Sequence, residues 1–286
     1  MGGIVSGLAS ENETVEALRA PPTSFTEPDW SASFEGDYTF GSRIRDFDRF
    51  GSQAEYHYSF QASRRFSWGE HWFVNIGFAE EQFQFSRSNE FLPYSLTKIA
   101  AQFAIGSSLT DSLSWEADVS PGVYYTRDHV SGNSFDAPAV FLGHWKVNPN
   151  FSVSLGVGGR YFSQNNVLPV GGLVWKVTDR WTVSAGFPAT RFTYMAAPGV
   201  QLYAGFERQS GGFRNGPTND QRTNNAILSY TENKLGGGLV LRPTRGVKLD
   251  LSSGFDFQRE FNYYRSGPIF RSKSAPFLEA QVHIDL

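Results

Sequence analysis

Apolar and polar residues alternate with a period of two along most of this chain. Trp30, Ala32, Phe34, Tyr38 and Phe40 fall on one face of an extended segment, and Ser31, Ser33, Glu35, Asp37 and Thr39 on the other. Ala54, Tyr56, Tyr58, Phe60 and Ala62 repeat the pattern against Gln53, Glu55, His57, Ser59 and Gln61. Similar segments begin at Trp72, Ile99 and Leu113 and continue over 136–147, 151–163, 167–177, 181–188, 190–196, 200–213, 224–242, 247–261 and 274–286. The pattern predicts 14 strands, or 12 if the short pair 181–188 and 190–196 is one element. The segment 224–242 changes parity between Thr231 and Lys234, which predicts a β-bulge there. The chain ends in an unbroken alternation, with Leu278, Ala280, Val282, Ile284 and Leu286 against Glu279, Gln281, His283 and Asp285.

The links between segments fall into two classes. Short turn-like links occur at 67–70, 110–111, 148–150, 178–180, 197–199 and 243–246, and longer polar ones at 44–50, 89–93, 128–135, 214–223 and 262–273. The classes alternate along the chain, apart from short links at 164–166 and 188–189. Short turns at one end and long loops at the other are the mark of a membrane barrel. All seven tryptophans lie in or near the short links or at the start of the first strand. Tyr125, Tyr161, Tyr263 and Tyr264 lie toward the opposite end. Aromatic residues sorted by end read as two interfacial belts. The predicted fold is therefore all-β: a single antiparallel transmembrane β-barrel over 30–286, whose apolar face meets lipid. Residues 1–29, rich in Glu and Pro and without alternation, read as a flexible periplasmic extension.

Composition changes this picture little. A formal charge of -3 gives no reason to expect nucleic acid, and the absence of Cys excludes disulfides and thiolate metal sites. No apolar run is long enough for a membrane-spanning helix. The start, Met1 to Val5, lacks a basic region followed by an apolar stretch, so an exported protein implies a leader already removed.

The stretch Pro169 to Trp181, with Ser184 to Pro188, Gln201 to Glu207 and Phe255 to Phe261, resembles an uncharacterised family of porin-like barrel proteins of the Gram-negative outer membrane. That resemblance covers roughly residues 30–286 and implies fold and location, with no assigned activity to carry over. The closing strand is similar to the signal by which such barrels are recognised for insertion, although it ends on Leu286 where an aromatic residue is usual. The implied partners are outer-membrane lipid and the barrel-assembly machinery.

Motifs for chemistry are scarce. Five histidines carry no metal-ligand spacing, and parity places His57, His71, His144 and His283 in the lumen. Asp128 and His129, with Ser131 nearby, resemble half of the site of omptin-type proteases, but the complementary Asp pair is not recognisable. No cofactor, metal or catalytic set is predicted, and an outer-membrane hydrolase is the minor alternative. The inward charges say more. Glu35, Asp37, Glu55, Asp250, Asp256, Glu279 and Asp285 form an acidic wall once the last strand closes on the first. Arg160, Lys176 and Arg191 project from strands roughly opposite. These ten residues are the predicted pore lining. An open lumen between such walls would pass small polar solutes, as a passive porin-like channel does. The competing reading is an occluded structural or adhesion barrel, in which the charges pair with one another and activity lies in the long loops.

Overall fold

The computed structural model describes residues 30–44, 51–69, 71–86, 92–127, 129–163, 166–264 and 267–286. The predicted extension 1–29 and Asp128 lie outside these. The strands are β1 (Trp30–Arg43), β2 (Ser52–Trp68), β3 (Trp72–Phe85), β4 (Ser95–Thr110), β5 (Leu113–Val119), β6 (Gly122–Thr126), β7 (Phe135–Asp136), β8 (Ala139–Asn148) and β9 (Phe151–Gly159). They continue as β10 (Val167–Lys176), β11 (Trp181–Phe187), β12 (Ala189–Ala197), β13 (Val200–Arg214), β14 (Ile227–Thr244), β15 (Val247–Asn262), β16 (Ile269–Arg271) and β17 (Ala275–Asp285). Three staves are interrupted. β5 and β6 both pair with β4, β7 and β8 continue one line, and β16 and β17 both pair with β15. Counting each as one stave gives a closed antiparallel barrel of 14 strands.

Closure is a full ladder. β17 pairs with β1 from Ser31↔Asp285 to Thr39↔Phe277, so the last alternating segment meets the first with no edge left open. The pair 181–188 and 190–196 is two strands, β11 and β12, joined at Pro188. Among the described residues no helix is long and apolar enough to cross a membrane.

At the end carrying Trp30, Leu286 and the short turns, the outward face is apolar. Trp30, Trp68, Trp72, Trp145, Trp175 and Trp181 are exposed, and Trp115 meets Trp72 edge to face (5.7 Å) and stacks on Phe141 (5.9 Å). Arg64 lays its guanidinium over the rings of Trp30 (5.2 Å) and Phe66 (4.7 Å), the posture of a basic side chain reaching from lipid to the interface. This is the first aromatic belt expected from the sequence.

Toward the loop end the polarity reverses. On β3 the outward series runs Ile76 and Phe78, then Glu80, Gln82 and Gln84. The inward series on the same strand runs Asn75, Gly77, Ala79 and Glu81, then Phe83 and Phe85. On β14 the inward residues are Leu228, Tyr230, Glu232 and Lys234, with Ser229, Thr231 and Asn233 on the other face. Phe83, Phe85, Leu96, Phe213, Tyr230 and Phe261 belong to one buried apolar cluster inside the loop end. Rings of Phe83 and Tyr230 lie 5.0 Å apart and those of Phe85 and Phe261 5.1 Å. The turn end is thus built inside-out for lipid, and the loop end is packed like a water-soluble barrel.

Two sequence expectations are corrected here. β14 keeps one parity from Ile227 to Leu241, and its apparent switch is the lumen changing from apolar to charged. The bulge lies on the partner strand instead: Asn233 pairs with Gln258 and Lys234 with Asp256, leaving Phe257 as the extra residue of β15. Tyr263 and Tyr264 do not form a lipid belt either, because both are buried in the apolar cluster.

The barrel also has a step. β12 ends its ladder with β13 at Ala189↔Glu207, while β13 runs on to Arg214. Above that point β13 keeps its β14 ladder but parts from β12, and it meets β6 in parallel at Arg214↔Tyr125. The loop end is therefore closed by fewer staves than the turn end.

Candidate functional site

Beneath the apolar cluster lies a belt of buried charges drawn from the tall strands. Arg259 on β15 is fully buried. Its Nη1 lies 3.2 Å from Glu55 Oε2, its Nε 3.3 Å from Asp256 Oδ2, and its Nη2 donates to Ser42 Oγ and the Gln53 carbonyl, both at 2.8 Å. Asp256 and Arg259 are three apart, so on a regular strand they would face opposite ways. The extra residue Phe257 brings both inward. Tyr230 donates hydrogen bonds to Glu55 and to Glu232.

A second knot joins β1, β2, β3 and β14. Lys234 Nζ lies 2.9 Å from Asp37 Oδ2 and 3.4 Å from Glu232 Oε2. His57 Nδ1 sits 2.8 Å from the same Asp37 oxygen, and its Nε2 lies 3.4 Å from Glu81 Oε1, which also accepts a hydrogen bond from Gln209 (2.8 Å). The His57 ring stacks on Phe83 at 4.4 Å, so belt and apolar cluster touch there.

Glu35, Asp37 and His57 place candidate ligand atoms within 4.8 Å of one another. The Asp37 oxygen nearest His57 already faces the Lys234 ammonium, so the geometry is that of an ion-pair junction. Toward the turn end a small pocket, open to solvent, is lined by Arg191, Tyr203, Glu207, Lys234, Phe277 and Glu279 among others.

Of the predicted lining residues, Glu35, Asp37, Glu55, Asp250 and Asp256 are buried in the lumen, and Glu279 lines the pocket. The two opposed walls do not form. Lys234 and Arg259 rise among the acids, and the other bases have acids of their own. Arg191 lies 3.4 Å from Asp250 and stacks over Tyr203 (3.8 Å), while Arg160 pairs with Asp136 at 3.5 Å near the loop end. Lys176 is exposed near the turn-end rim, and Asp285 pairs along its own strand with His283 at 2.9 Å. His71 is not a lumen residue. It is exposed in the turn between β2 and β3, where its carbonyl accepts the Ser108 N–H. His144 is buried against Ser154 Oγ (2.8 Å), as parity predicts. His129 is exposed at the loop end, and Ser131 is bound to Ser134.

Lys234, Arg259, Glu81, Glu232 and Tyr230 escaped the sequence reading. Lys234 and Glu232 fell inside the supposed parity change. Arg259 required placing the bulge, whose sequence signal is the outward pair Phe255 and Phe257 followed by inward Phe261.

Comparison with known families now decides the lineage, because residues 63–285 match the family described as a domain of unknown function, DUF6268. The chain belongs to the DUF6268 family. A search of curated proteins finds no match to this DUF6268 barrel. Among solved structures it is similar to a deletion mutant of the TodX monoaromatic hydrocarbon channel, at 12% identity and TM-score 0.54, covering 94% of both chains. A second TodX deletion mutant matches at 12% identity and TM-score 0.52, over 100% of this chain and 97% of that one. The toluene transporter TodX of Pseudomonas putida matches at 11% identity and TM-score 0.48, over 100% and 96%. At such identities the likeness shows a shared fold. In fold this DUF6268 barrel resembles those outer-membrane channels, and its turn-end exterior is apolar.

Proposed function

We propose that the protein is an outer-membrane channel, closed in the conformation described, that passes small apolar or aromatic compounds. The observation that carries this reading is the lining of the loop-end lumen, which is aromatic and aliphatic where an open polar-solute channel would present wet polar groups. Val140, Leu142, Leu168 and Val170 form a second buried apolar cluster on β8 and β10, on the low side of the step and away from the charged belt. The TodX mutants of the same fold are monoaromatic hydrocarbon channels, which supports the same solute class.

Passage of small polar solutes, which the inward charges favour on sequence alone, would require the buried Arg259–Glu55 and Lys234–Asp37 pairs to separate. Two measurements test the proposal. Cells with an intact lipopolysaccharide layer that express the protein take up labelled toluene faster than cells carrying an empty vector. Proteoliposomes show no swelling in L-arabinose. Swelling at porin-like rates would overturn the reading.

A further inference from the structure

The step in the barrel leaves one strand segment with an unusual set of supports. Below Glu207, β13 is held by ladders on both sides. From Arg208 to Arg214 only the β14 ladder continues. On its other edge this segment has the Arg208 N–H bonded to the Pro188 carbonyl (3.1 Å), the Arg160 guanidinium donating to the Gly212 carbonyl (3.4 Å), and the single bridge to Tyr125. The segment nevertheless carries Phe213 into the apolar cluster, opposite Leu228.

The loop that follows β9 supports it from below. A Cβ on Gly212 would lie 2.0 Å from the Phe162 carbonyl oxygen, so the two backbones touch and only glycine fits. Among the described residues, a buried carboxylate gathers the start of that loop. Asp136 Oδ1 accepts the N–H of Ala137 (2.8 Å) and Tyr161 (3.1 Å). Its Oδ2 accepts the N–H of Phe162 (3.1 Å) and lies 3.5 Å from Arg160 Nε. Asp136 thus sets the loop that sets Gly212. Phe162 and Phe213 are the members of the apolar cluster that this loop and this segment supply.

We propose that Gly211–Arg214 is a strap that gates the loop end, hinged where Gln209 is tied to Glu81 (2.8 Å), and that Asp136 is the latch that holds it shut. Releasing Asp136 frees the 160–163 loop, removes the support beneath Gly212, and lets the weakly laddered edge of β13 move off the apolar cluster. The movement would expose the β8 and β10 apolar face to the loop-end mouth. The consequence for passage rests on the channel reading above, whereas the movement itself does not.

The chain has no cysteine, so single thiols can be placed freely. In purified, membrane-reconstituted protein, Leu228→Cys reports opening through reaction with a membrane-impermeant maleimide, since Leu228 is fully buried beside the strap. Asp136→Ala is expected to raise the labelling rate at least tenfold over the Leu228→Cys parent. Arg160→Met gives the same direction should Asp136→Ala not yield a folded barrel, judged by its shifted migration in unheated gels. Equal labelling in folded variants overturns the gate. A disulfide across the Tyr125 and Arg214 bridge (Y125C with R214C) is expected to abolish toluene uptake when oxidised and restore it on reduction. Unchanged uptake in the oxidised form also overturns the gate. Absence of uptake in the parent removes the channel reading and leaves the labelling ratio to decide the gate.

Discussion

Arg259→Leu tests whether the lumen is filled. The guanidinium is fully buried, contacts Glu55 at 3.2 Å and Asp256 at 3.3 Å, and donates two further hydrogen bonds to Ser42 and Gln53. Leucine leaves two carboxylates facing each other without their cation. Removing one partner of a buried pair costs about 3–5 kcal/mol, because the remaining charge keeps its desolvation penalty. That corresponds to roughly two to three and a half decades in the folding equilibrium. Glu55→Gln with Arg259→Leu removes one of the stranded charges, so the double variant should lose less than the sum by about 1–3 kcal/mol. The assay is reversible urea unfolding of the barrel in thin phosphatidylcholine bilayers, followed through the fluorescence of the exterior tryptophans. A loss below about 1 kcal/mol, the range of solvent-exposed pairs, would refute the reasoning. It would mean that water reaches Arg259 and that the lumen is open.

The polarity reversal on β3 predicts that Phe78→Arg destabilises the folded barrel by about 2–4 kcal/mol, as for a charge near the bilayer midplane. Gln84→Arg, on the same face but past the reversal, should cost under about 1 kcal/mol in the same titration, and equal losses would contradict the reversal. Tyr230→Phe keeps the ring contacts with Phe83 and Phe261 but removes the donor to Glu55 and Glu232, which should cost about 1–3 kcal/mol in urea unfolding. Deleting Phe257 removes the bulge and turns Asp256 and Arg259 to opposite faces, so unheated gels should show no compact folded band. A folded band with normal stability would show that the bulge is dispensable.

Strand number, closure and the lipid-facing belt at the turn end were legible in the chain, because each rests on a period-two pattern and on turn chemistry, both local properties. Trp30, Trp72 and Phe78 declare their face through their immediate neighbours. The loop end was not legible in that way. Parity states which residues share a face, but it cannot say whether that face meets lipid, water or a packed interior. Leu228 and Tyr230 look lipid-facing beside Leu235, and they point the other way only because Phe83, Phe213 and Phe261 from distant strands fill the same space. The charges divide likewise. Sequence placed Glu35, Asp37, Glu55 and Asp256 inside, whereas the tertiary fold decided that Lys234 and Arg259 stand among them and that Arg160 belongs to Asp136. Pairing depends on register, bulges and barrel cross-section, and these are set by contacts between residues as far apart as Arg259 and Glu55, 204 positions along the chain. The alternation along the strands therefore determined that this chain closes into a membrane barrel. Only the packing of side chains across the lumen decided that an apolar cluster and a belt of paired charges fill it among the described residues.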